Sequence, residues 1–509
     1  MATTGMASSR SLSNLSFSHV ALALAVLTAI RIAGLHVSVV DLYMDEAQYW
    51  AWSRELAFGY FSKPPLLAWI IAATDQVCGS GEACVRVASP LLHFVTALVI
   101  YAIAEELYDQ RTAAWSALAY GLAPGVVFSA RIISTDVPLL LFWAVALLAY
   151  VKLLRGPSWR WSLTLGLALG LGMLAKYAMI YFLLGAAFAA CLERDARALL
   201  WRPQTWAALV IAGVLLVPNV LWNAENKFVT LRHTGDNISG GGLSLSFSGP
   251  VEFLGSQFAV IGPIVFATFL YILVRIGSRT IGREDRLMLA FAIPPLALLT
   301  VLALTRPIHA NWAAPAALSM TILAAGWWRR NEWKYVLAAT LALGLCLQAA
   351  ALAGDAMAYR LSIPALGRQA DLYRRTLGWR PLGDRVLAFT RAEGAKTVGV
   401  EGRAEAAALV YNLRNEPLPV LSWPAGEIPD SQFDLTRALE DSNAREPVLM
   451  ISACQFASRF AAFYRQVKPL GLFEVASGPS TKRQYYAFVL EGRKRGIEPI
   501  GPCADVAPR

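Results

Sequence analysis

Asp45 and Glu46 stand side by side in Asp41-Leu42-Tyr43-Met44-Asp45-Glu46-Ala47-Gln48-Tyr49-Trp50, just beyond the first long apolar run, and Gly59-Tyr60-Phe61-Ser62-Lys63-Pro64-Pro65 follows. A carboxylate at a membrane surface suits general-base work, removing the proton of an acceptor hydroxyl as it attacks. Adjacent side chains diverge on a helix or a strand, so the two acids are not expected to share a proton; one faces a substrate and the other the structure. Both also suit the first turn of a helix over 47–52, where an acid caps free N–H groups. Glu46 and Tyr60 are expected at the substrate, and a charge with no purpose is costly this close to lipid, which singles the segment out.

Other candidates lie far along the chain. Asp136 follows Ile132-Ile133-Ser134-Thr135 and precedes Pro138, either as part of a helix start or as a second acid that orients substrate. Lys176, between two apolar runs, and Arg306 could neutralise a departing phosphate. In Arg306-Pro307-Ile308-His309-Ala310-Asn311-Trp312, His309, Asn311 and Trp312 offer donors and an aromatic surface suited to a sugar, or interfacial anchoring. The run from Arg232 to Gly242 is glycine-rich but lacks the Lys-Ser/Thr ending of a P-loop, and reads as a mobile loop over the site.

The elements that must position these residues are membrane spans. With 56% hydrophobic and 16% charged residues and a mean hydropathy of +0.48, the chain is too apolar for a soluble enzyme, which carries roughly 25% charge. The net charge of +10 does not imply nucleic acid, because the cations sit in short clusters between apolar runs and no basic stripe or recognition motif appears. About eleven runs reach spanning length: 18–40, 84–106, 112–129, 136–154, 161–175, 177–192, 205–222, 257–275, 287–304, 309–328 and 334–353. Segment 64–77 is too short to cross and reads as an interfacial helix.

Lys152, Arg155 and Arg160; Arg194, Arg197 and Arg202; Arg275, Arg279, Arg283 and Arg286; and Arg329, Arg330 and Lys334 mark the cytoplasmic loops. Lys63, Arg131, Lys176, Arg232 and Arg306 then fall on the opposite side, where the same bias disfavours them unless an anion such as phosphate needs them or they snorkel to headgroups. Residues 1–17 read as a cytoplasmic tail, 18–354 as the membrane domain, and 355–509, with short β-branched runs among helical patterns, as a small α/β domain on the outer face. Cys78 and Cys84 are spaced for a short-loop disulfide, Cys454 and Cys503 form a second candidate pair, and Cys191 and Cys346 read as packing residues.

Taken together, the acidic pair after the first span, the Gly59 to Pro65 segment, Asp136, Lys176 and the outer C-terminal domain resemble bacterial GT-C glycosyltransferases. The likeness is to the protein-mannosyltransferase-like group, which includes the aminoarabinose transferases of lipid A and the rhizobial galacturonosyltransferases. It is strongest over 41–180. It implies a multi-pass protein of the bacterial inner membrane that takes a sugar from a polyprenyl-phosphate donor and passes it with inversion to a lipid or polysaccharide acceptor on the periplasmic face, with no cofactor and no obligatory bound metal. By motif, Asp45 matches the catalytic acid of the first loop, Lys63 and Lys176 the phosphate-contacting cations, and Asp136 the second-loop acid. Ser62 stands where the aminoarabinose transferases carry a Glu that helps hold the donor sugar, so the likeness does not extend to aminoarabinose as the sugar. The rival expectation is a transporter or flippase of lipid-linked sugars, which needs sites reachable from both faces and commonly carries repeated halves. No internal repeat is evident, and the candidate residues gather on one side.

Overall fold

Apolar runs of spanning length become helices because a helix satisfies its own backbone groups where no water can. A computed structural model describes residues 16–239, 245–277, 280–364, 370–424, 426, 428–440, 442–494 and 496–500. Among them six helices are long and apolar enough to cross a membrane: Phe17–Val37, Glu82–Leu107, Asp136–Arg155, Pro203–Glu225, Arg283–Leu302 and Lys334–Ala356. Most of the expected tail 1–17, together with Arg279, lies outside the described residues.

Other apolar runs are interrupted. Run 112–129 is two helices, Gln110–Gly121 and Pro124–Ser129, because Pro124 has no N–H to continue the first and is preset to start the second. Run 257–275 breaks between Ser248–Val260 and Pro263–Val274 at Gly262, whose φ of 105° only glycine adopts easily. Between Trp159–Ala175 and the 3-10 turn Tyr177–Ile180 the chain is extended at Lys176, which ends one helix and opens the next. The run 309–328 is a short turn, Ala310–Ala313, followed by the helix Ala314–Arg330.

The chain forms two compact units. The first comprises Met1–Ala33, Ser89–Val220 and Asn237–Ala351. Its core holds Trp143, Tyr150, Phe182 and Phe291, whose rings meet at 4.8 to 6.5 Å. Gly166 and Gly170, four apart on one helix face, let the helix Pro203–Glu225 approach closely; a Cβ on Gly166 would fall 2.7 Å from the Ala208 carbonyl oxygen. Cations gather at one end of this unit. Lys152 and Arg155 pair with Glu106, Arg286 with Glu193 at 2.5 Å, Arg283 with Asp195 at 2.6 Å and Arg330 with Asp285 at 2.8 Å.

The second unit comprises Gly34–Ala88, Leu221–Asp236 and Leu352–Arg509. Its five-stranded sheet contains β1 (Thr397–Val400), β2 (Val420–Ser422), β3 (Val448–Ser452), β4 (Tyr464–Ala476) and β5 (Lys482–Arg493), in the order β2-β1-β3-β5-β4. β1 runs parallel to both neighbours, and β5 antiparallel to β3 and β4. The central strands β1 and β3 are buried throughout, as parallel strands covered on both faces must be. The segment 34–88, which carries the acidic pair between the first two long apolar helices, belongs to this unit. Trp50 meets Tyr411 edge-on at 5.0 Å, the Tyr411 hydroxyl donates to the Ser80 carbonyl at 2.8 Å, and the Phe61 N–H donates to Gln432 at 2.7 Å.

Cys78 and Cys84 are disulfide-bonded, and Cys503 of the second expected pair lies outside the described residues. Cys191 and Cys346 are free and exposed. The expected glycine-rich loop from Arg232 to Gly242 is corrected: Val229–Ser239 is a helix. A single internal glycine costs a helix only about 1 kcal/mol, and the Thr230 hydroxyl anchors this one on the Tyr60 carbonyl at 2.7 Å. Gly240 to Gly242 lie outside the described residues.

Candidate active site

The helix Met44–Ser53 carries the acidic pair in its first turn. Glu46, 1% exposed, accepts the Tyr43 N–H at 2.9 Å and two hydrogen bonds from Arg86, from Nε at 2.8 Å and a terminal nitrogen at 2.7 Å. Arg86 also donates to the carbonyls of Val40 and Asp41. Glu46 was expected at the substrate; its carboxylate instead lies in a buried, two-point ion pair that braces the start of the helix. Asp41 likewise holds structure, accepting the N–H groups of Trp379 at 2.9 Å and Arg380 at 3.2 Å at the start of helix Trp379–Glu393. Burial pushes the Asp41 carboxyl above its ordinary value, against the lowering effect of those donors and of the Arg380 charge.

Asp45 has the opposite surroundings. Its side chain is 37% exposed, and one oxygen lies 3.1 Å from a terminal nitrogen of Arg403, which also donates to Gln48 at 3.3 Å. Burial raises the Tyr43 phenol, and the negative charge of Asp45 adds to that, while the cations Arg375 and Arg403 oppose it. A partly exposed carboxylate thus stands on a braced helix with the Arg403 guanidinium beside it.

The Gly59 to Pro65 segment folds onto this helix. The Tyr60 ring stacks on Trp52, with centroids 4.6 Å apart and planes 4° from parallel. The Tyr60 hydroxyl accepts the Ala57 N–H at 3.2 Å and lies 3.0 Å from the Trp52 carbonyl, and burial pushes it up to about 12. Ser62 is buried, and Lys63 is half-buried with its carbonyl accepting the Tyr60 N–H at 3.1 Å. Arg232 is exposed on the helix Val229–Ser239, one residue before His233, whose ring lies 5.4 Å from Phe61.

In the first unit, three expected residues from distant segments meet. Asp136 opens the helix Asp136–Arg155, accepting from Lys176 Nζ at 2.7 Å on one oxygen and from Asn311 Nδ2 at 2.7 Å on the other. Lys176 reaches it because the chain is extended there, and Asn311 because the turn Ala310–Ala313 precedes its helix. These groups occupy the end of helix Asp136–Arg155 opposite to Lys152 and Arg155. His309 and Trp312 lie beside Asn311 with ring centroids 5.9 Å apart, and Arg306 is half-buried with Nε 3.2 Å from the Thr305 hydroxyl. Among the described residues no three His, Cys, Asp or Glu side chains gather as a metal-ion ligand set.

Sequence reasoning missed Arg403 and Arg86. Arg403 follows Asp45 by more than three hundred residues and carries no local signal. Arg86 did carry one, a cation near the start of an apolar run, where only a partner makes it tolerable.

Residues 62–222 match the family described as dolichyl-phosphate-mannose-protein mannosyltransferase. The chain is 32% identical to the lipid A galacturonosyltransferase RgtD of Rhizobium johnstonii over 410 residues, 80% of this chain and 85% of that protein. It is 29% identical to the lipopolysaccharide core galacturonosyltransferase RgtA of the same organism, over 55% of this chain and 59% of that one. Its fold is similar to that of ArnT from Cupriavidus metallidurans solved with undecaprenyl phosphate, with a TM-score of 0.64 at 18% identity, covering 93% of this chain and 98% of that one. The chain belongs to the GT-C glycosyltransferases and is a membrane enzyme of that class, related to the rhizobial galacturonosyltransferases.

Proposed function

We propose that the protein moves a sugar, with inversion, from a polyprenyl-phosphate donor to a lipid or saccharide acceptor of a bacterial envelope. Asp45 acts as general base on the acceptor hydroxyl, and Arg403 orients its carboxylate. Lys63, Lys176, Arg232 and Arg306 offset the charge of the departing phosphate, which is already a workable leaving group, so the reaction needs no metal. Asp136 holds Lys176 and Asn311 in place and orients substrate, with His309 and Trp312 beside it. The observation that carries this reading is the division within the acidic pair: Glu46 is clamped by Arg86, whereas Asp45 keeps an accessible carboxylate on the braced helix.

The setting we propose is the inner membrane, with about eleven spans, a cytoplasmic tail over 1–17, the active residues on the periplasmic side and 355–509 as an extracytoplasmic domain. Supporting this sidedness, Asp136 and the paired cations Lys152 and Arg155 occupy opposite ends of one helix. RgtD is named for galacturonic acid and lipid A, so polyprenyl-phosphate-linked galacturonic acid and lipid A are the first pair to supply. The purified full chain should convert them to a product whose anomeric configuration, read by NMR, is opposite to the donor's, and a chelator should leave the rate unchanged. Retained configuration, or a rate abolished by chelation and restored by a divalent metal, would count against the mechanism.

A further inference from the structure

A cavity of about 380 Å³ opens within the second unit, between residues 51–60, 222–226 and 432–437. We infer that it binds one pyranose ring of a substrate. Its size falls in the range of small-molecule sites, roughly 300 to 1,000 Å³. The stacked rings of Trp52 and Tyr60 lie in its wall, and the half-buried Trp222 adds a further aromatic surface, backed by Gly59, where a Cβ would fall 2.3 Å from the indole. Flat rings suit the C–H faces of a sugar.

The polar groups on the wall complement hydroxyls. Gln432 accepts the Phe61 N–H on its amide oxygen at 2.7 Å, and its NH2 group is a donor. Asn226 donates one of its two amide hydrogens to the Trp222 carbonyl at 2.9 Å, and its oxygen is an acceptor. A hydroxyl both donates and accepts, and matches that pair. Arg437 is paired with Glu55 at 2.5 Å, so the cavity offers no net positive charge to a phosphate.

The ring belongs either to the donor or to the acceptor, and the inference rests on the transfer reading only for which of these it is. Calorimetry of the full-length chain in detergent should use two probes: galacturonic acid, and the glucosamine disaccharide of deacylated lipid A. The wild type and Asp45→Asn should bind at least one probe, and Trp222→Ala and Asn226→Leu should each bind it roughly tenfold more weakly, with Trp222→Phe retaining most of the affinity. Weakening confined to galacturonic acid assigns the cavity to the donor sugar; weakening confined to the disaccharide assigns it to the acceptor. Binding of neither probe by the wild type, or equal binding by the wild type and both disruptive variants, overturns the inference. If these variants lose binding while Asp45→Asn keeps full transferase activity, the cavity stands and the general-base reading falls.

Discussion

Successive residues of a helix are rotated by about 100°, which is why the helix Met44–Ser53 sends Glu46 inward to Arg86 while Asp45 keeps an open face. The acid pair could be found in the sequence, and so could the rule that its members part; which one faced inward could not, because Arg86 lies 40 residues away and settles the matter through packing. Arg403 was invisible for the same reason. If it positions the Asp45 carboxylate, Arg403→Ala should lower kcat roughly 10- to 100-fold with little change in KM, and Arg403→Lys should recover part of the loss. Steady-state rates would decide this, and an unchanged kcat in the alanine variant would remove Arg403 from the account. Asp136 was legible as a helix-opening acid, but its two partners were not, since Lys176 and Asn311 reach it through breaks in their runs.

At the level of elements, the apolar runs gave their own positions, because helices in lipid need little beyond length and hydrophobicity. The break at Lys176 is legible in the sequence, because the cation itself divides runs 161–175 and 177–192, whereas the breaks at Pro124 and Gly262 fall inside runs read as single spans. The helix Val229–Ser239 was misread as a loop because glycine and polar residues there mimic loop composition, while its anchor is a tertiary hydrogen bond from Thr230. The brace beneath Asp45 can be tested at this scale. Glu46→Ala strands the buried Arg86 charge and should destabilise the protein by about 3 to 5 kcal/mol, seen as a lowered Tm in detergent. Asp45→Asn, at a partly exposed carboxylate, should leave Tm nearly unchanged. Equal Tm values for wild type and Glu46→Ala would show that the pair does not hold the helix.

Across the whole molecule, the largest departure from what sequence suggests is that 34–88 joins the C-terminal residues in one compact unit, through partners more than three hundred residues apart such as Phe61 and Gln432 or Asp41 and Trp379. Strand and helix patterns beyond residue 356 could be read locally; these long-range ties could not. The same unit carries a pH-dependent element. Asp430 is raised to about 7 by its hydrogen bond with Asp434, with burial and the negative charge of Asp434 adding to the shift and Arg403 opposing it. The folded state therefore holds a proton that the unfolded state releases near 4, so this contribution is full below about pH 4 and is lost as pH rises towards 7. Asp430→Asn should match wild-type Tm near pH 5 within a degree or so and exceed it by about 1 to 2 °C at pH 8, the gain kept small by the exposure of Asp430. A Tm difference independent of pH would contradict this assignment.

The central claim is that Asp45 removes the acceptor's proton. Its most direct test is the turnover of purified Asp45→Asn with a polyprenyl-phosphate-linked sugar and acceptor, beside a Tm showing the protein intact. The account predicts a rate lower by roughly 100- to 10,000-fold in a folded protein. Near-wild-type transfer by that variant would contradict it.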